Sequence, residues 1–179
     1  MSEHTINKEI MSQMLTNEGV SVLEESGRQP VMLIFLRHFG CMFCREALSD
    51  IAKKRSTIEE MGTKIIFVHL SDDETAERFF KKYKLLPVTY IGDPECRFYA
   101  AFGLTKGNFT QLFGLRAWMR GFQTVVVKQH GMAPPIGDGF QMPGVFVIQD
   151  GDIQEAFVHK FSSDRPDYEK LVRNCCALP

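Results

Sequence analysis

The chain has 179 residues, 44% apolar and 24% charged, which fits one globular domain, 1–179, with a core over about 29–175. Its net charge of −1 gives no electrostatic reason to expect nucleic-acid or membrane binding, and neither a secretory signal nor a bilayer-spanning apolar run is visible. Five cysteines, an odd number, argue against a disulfide framework, so we expect a cytoplasmic protein in which a cysteine pair is more often catalytic than structural.

The first clear element is an apolar strand, Val31–Arg37, that leads into a Cys-x-x-Cys motif and then a helix. The motif is Cys41-Met42-Phe43-Cys44, and the helix is predicted over Met42–Met61, ending at Gly62, a residue type that favours helix C-termini. A strand, a tight turn with this motif and a helix is the arrangement that carries a redox dithiol. The spacing allows the two sulfurs, one helical turn apart, to form a short disulfide.

The two cysteines of the motif differ in their predicted surroundings. Cys44 begins an apolar stripe with i, i+3, i+4, i+7 spacing that ends at Ile51, so it faces the sheet. Cys41 lies outside the stripe, at the helix N-terminus, where unpaired N–H groups and the helix dipole favour a thiolate. We therefore predict that Cys41 is the exposed nucleophile and Cys44 its partly buried partner.

Positive charge near the motif supports a redox role. Arg37, His38 and Arg45 are within reach, and no carboxylate occurs between Val31 and Arg45, so a thiolate is stabilised there. His38 is the nearby group that titrates near neutral pH, although a structural or surface role is the simpler interpretation. A zinc site would normally need a second Cys-x-x-Cys or a His-x-x-x-His pair; the sequence has neither, and its histidines are scattered, so redox chemistry is favoured over metal binding.

Two further strand and helix pairs follow. The strand Lys64–Leu70 precedes a helix that Ser71 and Glu74 are predicted to open as a capping box. The strand Leu85–Ile91 precedes a short helix, Glu95–Phe102. This alternation predicts parallel strands joined by right-handed crossovers.

The rest of the chain ends in a hairpin and a helix. Helical spacing over Thr110–Phe122 and a Gly- and Pro-rich loop over Lys128–Met142 precede Val145–Val158, which is two strands joined at the turn signal Asp150-Gly151. A final helix is predicted from residues 164–166 onward. The sequence thus predicts an α/β fold with a central mixed sheet flanked by helices and an insertion before the hairpin.

This order of elements resembles the thioredoxin-like superfamily, and within it the peroxiredoxin-like branch, the alkyl hydroperoxide reductase/thiol-specific antioxidant family. Gly92–Gly103 is similar to that family's Asp-Pro segment, and Gly139–Asp152 to its final strand and hairpin. The resemblance covers about Gln29 to Val172. It implies a redox protein without a cofactor or metal, a protein or small-molecule disulfide or peroxide as substrate, and an external thiol reductant.

The resemblance also implies substrate-binding residues. In these proteins a cis-proline opens the strand beside the dithiol, and the residue before it offers backbone hydrogen bonds to the substrate. Pro143, after Met142, fits this place better than Pro87, because a hairpin follows it; an ordinary trans loop proline stays an alternative. Met142 and Pro143, with Met42 and Phe43 of the motif, are therefore the predicted substrate-binding residues.

Two departures from the family patterns bear on the activity. Typical peroxiredoxins carry Pro-x-x-x-Thr-x-x-Cys; aligned at Cys44, this chain has Arg37 in place of the Pro and Cys41 in place of the Thr. The buried Asp of thioredoxin is replaced by Phe35. A thiol–disulfide oxidoreductase is therefore favoured over the usual peroxidase. The alternatives are a peroxiredoxin-like peroxidase with Cys44 or Cys41 as the peroxidatic thiol, and a redox-sensing binding module that uses the segment 102–142.

The other three cysteines are weaker candidates. Cys175 is predicted to lie in the core, on the apolar face of the last helix. Cys96 opens a short helix and is predicted to be a silent surface or packed thiol, with a reactive thiol as the alternative. Cys176 is a minor candidate for a resolving thiol.

Overall fold

A computed structural model describes residues 8–107 and 140–176. The helix predicted over Thr110–Phe122 and most of the predicted loop Lys128–Met142 lie outside the described residues, as does the side chain of Cys176. The described strands are β1 Val31–Phe35, β2 Lys64–His69, β3 Thr89–Gly92, β4 Gly144–Gln149 and β5 Asp152–Val158. The described helices are α1 Lys8–Gln13, α2 Val22–Arg28, α3 Met42–Glu60, α4 Asp73–Lys82, α5 Arg97–Ala101 and α6 Tyr168–Cys176.

The five strands form one mixed sheet in the order β3-β2-β1-β4-β5. The pairs β1–β2 and β2–β3 are parallel, whereas β4 runs antiparallel to both β1 and β5. This confirms the predicted α/β architecture. The central strand, β1, ends at Phe35, which lies opposite Val68 on one side and Gly144 on the other. The Cys-x-x-Cys motif therefore follows the strand that has a neighbour on both sides.

Both faces of β1 are covered, which explains its continuous apolar sequence. Met32 and Ile34 belong to a cluster formed with residues of α3, α4 and α6. Val31, Leu33 and Phe35 belong to a second cluster, with residues of α1, α2 and α5. That second cluster includes Met11, Met14 and Val22, which lie N-terminal to the predicted core boundary at residue 29. None of the described helices has the length and apolar character needed to cross a bilayer.

The hairpin signal and the helix stop were predicted correctly. Asp150 and Gly151, between β4 and β5, have φ values of 53° and 75°, the conformation that an Asp-Gly hairpin turn requires. Gly62, just after α3, has φ of 78°, as expected of a helix C-terminal glycine.

The predicted capping box was wrong by one residue. The N-cap of α4 is Asp72, whose carboxylate accepts from the Thr75 backbone N–H at 2.8 Å. Ser71 is buried, and its hydroxyl has no hydrogen-bond partner among the described residues. Asp is as good an N-cap as Ser, so local sequence alone does not decide which of two successive candidates caps the helix.

Candidate redox site

The motif lies where β1 ends and α3 begins. Cys41 is the N-cap of α3, and its carbonyl accepts from the Arg45 backbone N–H at 3.2 Å. Cys44 is in the first turn of the helix, and both residues are free thiols. The predicted arrangement of strand, motif and helix is therefore present.

The prediction that Cys41 is exposed was wrong. Only 9% of Cys41 is accessible, compared with 4% of Cys44. The turn before the helix folds inward, because the Cys41 N–H donates to the His38 carbonyl at 3.0 Å and Phe39 is completely buried in the core. A helix N-terminus is usually near solvent, and nothing in the helical pattern indicates that the preceding loop covers this one.

Arg37 connects the motif to the chain before β4. Its Nη1 donates to Cys41 Sγ at 3.1 Å and its Nε donates to the Gln141 carbonyl at 3.2 Å. Arg37 is only 6% exposed, so these contacts lie in a region of weak solvent screening. A guanidinium binds a thiolate more strongly than a neutral thiol, so this contact favours Cys41 as the nucleophile.

Cys44 has the opposite environment. Its Sγ donates to the Arg37 carbonyl at 3.6 Å. Burial first, and then the nearby Cys41 sulfur, raise the pKa of the Cys44 thiol far above its ordinary value; the charges of Arg37 and Arg45 act against this shift without cancelling it. Arg45 also has other contacts, since its Nε donates to the Phe39 carbonyl at 2.9 Å. Cys44 is therefore a neutral thiol at physiological pH.

A cavity opens beside Cys44. It is small, about 40 Å³, and it opens to solvent. Cys44, Phe43 and Pro143 line it together with an apolar wall from β1, β4 and α6, and Glu46, Asp50 and Arg165 form a charged side. Arg165 pairs with both carboxylates, at 3.4 Å from Glu46 and closer to Asp50. The cavity reaches Cys44, while Cys41 is not part of its lining.

Pro143 lies beside the dithiol as predicted, but it is not the cis residue. It precedes β4, next to the end of β1, and lines the cavity with Cys44. The cis bond in the described residues is Leu86–Pro87, before β3, while the Met142–Pro143 bond is trans. Each proline lies shortly before a strand. Because the cis and trans forms of an X-Pro bond differ little in energy, the local sequence does not show which of the two bonds is cis.

The other predicted site residues differ in burial and do not line the cavity. Met142 is buried, and its N–H donates to the Thr105 carbonyl at 3.2 Å. Met42 is half-buried at the start of α3 and does not line the cavity. His38 is buried in the turn before the motif, where its carbonyl accepts from the Cys41 N–H.

Two neighbours of the site were not predicted. His159 follows β5 and lines the cavity with Cys44; burial lowers its pKa to about 4, so it is neutral at physiological pH. Gln141 holds Arg37 through its backbone carbonyl. Neither residue carries a local motif, and each reaches the site only because β4 and β5 pair beside β1.

Tyr99 fixes the end of β1 from the opposite face of the sheet. Its buried hydroxyl lies within hydrogen-bond distance of the Leu36 and Val68 carbonyls, at the ends of β1 and β2. Asp93 begins the turn before α5 and accepts from the N–H groups of Arg97, Phe98 and Tyr99 at 2.8–3.1 Å. The Asp-Pro segment therefore supports the turn that carries Arg37.

Two other cysteines, Cys175 and Cys96, have described side chains. Cys175 is buried, as predicted, with its Sγ 3.8 Å from Gln149 Oε1. Cys96 is half-buried at the N-cap of α5. Across residues 8–107 and 140–176, no three His, Cys, Asp or Glu side chains are grouped so that they could hold a metal ion.

The chain is similar to thioredoxin-like and peroxiredoxin-like proteins. The chain is 23% identical over 154 residues to the Arabidopsis thaliana "Thioredoxin-like protein AAED1, chloroplastic", covering 82% of this chain and 62% of the relative. It is 32% identical over 78 residues to human "Peroxiredoxin-like 2C", covering 43% of this chain and 34% of the relative. The chain thus spans less than two thirds of the length of these relatives.

Solved structures share the fold at low sequence identity. A mutant of peroxiredoxin 6 from Arenicola marina has a TM-score of 0.62 at 12% identity, covering 88% of this chain and 65% of that one. A putative thiol:disulfide interchange protein DsbE from Chlorobium tepidum has a TM-score of 0.55 at 19% identity, covering 92% and 89%. The family model described as AhpC/TSA matches residues 8–156. Because this match covers most of the sequence, the chain belongs to the AhpC/TSA family.

Proposed function

We propose that the protein is a thiol–disulfide oxidoreductase that cycles Cys41 and Cys44 between a dithiol and a disulfide. The proposal depends on one observation, the difference between the two sulfurs. Cys41 is at a helix N-terminus with the Arg37 guanidinium 3.1 Å from its Sγ, whereas burial keeps the pKa of Cys44 high. One thiol is thus prepared as a nucleophile while its partner stays protonated until it is needed.

The reaction follows from this difference. The Cys41 thiolate attacks one sulfur of a substrate disulfide, the substrate S–S bond breaks, and the leaving thiolate takes a proton from water. In the mixed disulfide Cys41 carries no charge, so one of the two causes that raise the Cys44 pKa is gone. Cys44 then loses its proton and attacks Cys41 Sγ, which releases the second substrate thiol and leaves the Cys41–Cys44 disulfide. An external thiol reductant supplies the two electrons that restore the dithiol.

Substrate contacts are proposed at Met42, Phe43, Met142 and Pro143. Phe43 and Pro143 have the stronger support, because they line the cavity with Cys44. The reductant is proposed to be a glutathione or thioredoxin system; these are the systems named for a yeast mitochondrial 1-Cys peroxiredoxin that shares the fold, with a TM-score of 0.59 at 15% identity. We place the protein in the cytoplasm, where free thiols persist, although its Arabidopsis relative is named chloroplastic.

Alkylation should identify the nucleophile. With limiting iodoacetamide at pH 7, the reduced protein is expected to be modified first at Cys41, because Cys44 remains a neutral thiol. Peptide mapping of the singly modified protein measures this preference. Preferential labelling of Cys44 would reverse the assignment of the two roles.

A peroxidase is the second candidate, favoured by a specific observation. Cys44 aligns with the peroxidatic cysteine of typical peroxiredoxins, and it is the thiol that the cavity reaches. Against this, its pKa is raised, and Cys41 and Arg37 replace the Thr and Pro that shape a typical peroxide pocket.

We expect a small disulfide to oxidise the reduced protein at least as fast as hydrogen peroxide does at equal concentration. The peroxide pocket lacks the hydroxyl that orients the O–O bond, and the raised pKa of Cys44 leaves little thiolate to attack it. Stopped-flow measurement of thiol loss with each oxidant tests this. If peroxide reacts several decades faster, the peroxidase becomes the better assignment.

A redox sensor without turnover is separated from both enzymes by a steady-state assay. Catalytic consumption of a model disulfide in the presence of a thioredoxin or glutathione reductase system would exclude a purely sensory role.

A further inference from the structure

We infer that Gln141 is a positioning residue whose side-chain amide keeps the Arg37 guanidinium against Cys41 Sγ. The inference rests on the proposed role of Cys41 as nucleophile. It concerns a residue without any sequence signal, 104 positions after Arg37 in the chain.

The Gln141 side chain links its own backbone segment to residues 104–105 by hydrogen bonds. Gln141 is only 2% exposed, and its Nε2 donates to the Leu104 carbonyl at 2.7 Å, with the Thr105 carbonyl 3.5 Å away. Backbone bonds join the same two segments, from Met142 N–H to the Thr105 carbonyl at 3.2 Å and from Gly107 N–H to the Phe140 carbonyl at 2.7 Å. The amide is thus the buried side-chain link between residues 104–107 and 140–142.

The backbone carbonyl of Gln141 contacts Arg37, so the position of residue 141 determines where the guanidinium lies. This carbonyl accepts from Arg37 Nε at 3.2 Å, and Nη1 of the same guanidinium donates to Cys41 Sγ at 3.1 Å. A guanidinium is planar and rigid, so fixing the direction of Nε also fixes the direction of Nη1. A free arginine side chain has many rotamers, and the Gln141 carbonyl selects the one that points at the sulfur.

The amide therefore acts on Cys41 through two hydrogen bonds in series. Without its Nε2 donor, the Leu104 carbonyl loses its partner and residues 140–142 lose their side-chain anchor. The Gln141 carbonyl then shifts, Arg37 Nε loses this acceptor, and the thiolate of Cys41 loses part of its stabilisation. The expected defect is lower nucleophilicity at neutral pH rather than a missing reacting group.

The test is the pH profile of Cys41 alkylation by iodoacetamide in the full chain, read by peptide mapping. Gln141→Met keeps the length of the side chain and removes the donor. We expect this variant to react roughly three- to tenfold more slowly at pH 7, with the midpoint of its profile moved to higher pH and the plateau rate at high pH unchanged. A merely structural defect would change the plateau or the unfolding temperature without moving the midpoint.

Two controls make the result specific. Gln149→Met replaces another glutamine, which is half-buried on β4 beside Cys175, and should leave the pH profile of Cys41 alkylation unchanged. In an Arg37→Gln background, Gln141→Met should have no further effect on the midpoint, because the group that it positions is gone. If Gln141→Met does not fold, Gln141→Asn, which keeps the amide on a shorter side chain, should show a smaller shift in the same direction.

The outcomes separate this inference from the proposed function. If Cys41 is not the faster thiol in the unmodified protein, the proposed function fails and the inference fails with it. If Cys41 is faster and neither Gln141 variant moves the midpoint, the inference alone is wrong. A shift of equal size in the Arg37→Gln background would also overturn it.

Discussion

Cys41→Ser is expected to abolish disulfide reductase turnover, while Cys44→Ser should accumulate mixed disulfides with the substrate. The serine hydroxyl at position 41 is not ionised at neutral pH and cannot take the place of the thiolate beside Arg37. In Cys44→Ser the first attack proceeds, but the group that releases the second substrate thiol is missing. The two variants should thus be equally inactive in steady state and differ in what they trap.

Mass spectrometry of each variant, incubated with a small disulfide and then acid-quenched, distinguishes the two states. Cys175→Ser serves as the matched control, since Cys175 is also a buried thiol and its Sγ lies 3.8 Å from Gln149 Oε1. Its turnover should stay close to that of the unmodified protein. Normal turnover by Cys44→Ser would mean that another cysteine resolves the mixed disulfide, and the mechanism would have to be abandoned.

Asp93→Ala is expected to destabilise the protein by about 3 kcal/mol, because three backbone N–H groups at the start of α5 lose a charged acceptor in a largely buried position. Asp93 itself is only 4% exposed, so water has limited access to replace the carboxylate. The damage should extend to the redox site, since α5 carries Tyr99, whose hydroxyl contacts the Leu36 carbonyl just before Arg37.

Urea unfolding of Asp93→Ala and Asp72→Ala gives the comparison. Asp72 is also a helix cap, but it is exposed and its carboxylate accepts from one backbone N–H, that of Thr75. Its removal should have a clearly smaller effect on the free energy of unfolding. Equal losses in the two variants would show that burial of the Asp93 cap does not matter.

The sequence could predict the parts of the site that depend on neighbours in the chain. An apolar run buried on both faces, a cysteine at a helix N-terminus and a second cysteine on the inward stripe are local patterns with a physical basis. They located β1, α3 and the motif correctly. The Asp-Gly turn located the hairpin for the same reason, because left-handed backbone is needed at both positions.

The parts that could not be predicted depend on contacts between distant segments. The burial of Cys41 results from the way in which Phe39 enters the core. The link from Arg37 to Gln141 joins residues that meet only because β4 pairs with β1. The raised pKa of Cys44 follows from desolvation, which overcomes the positive charges that the sequence displays. A count of nearby charges cannot measure desolvation.

The central position of β1 also bears on how the protein moves. Its backbone is hydrogen-bonded to β2 and β4, and all five of its residues are buried, so its amides should be among the last to exchange with deuterium. The dithiol is therefore attached to a strand that we expect to open slowly. Since Cys41 is covered, the motion that admits a substrate has to come from the side chains and loops in front of it. Deuterium uptake over β1 should therefore stay slow under conditions in which Cys41 is alkylated, because opening of that cover does not require the sheet to unfold.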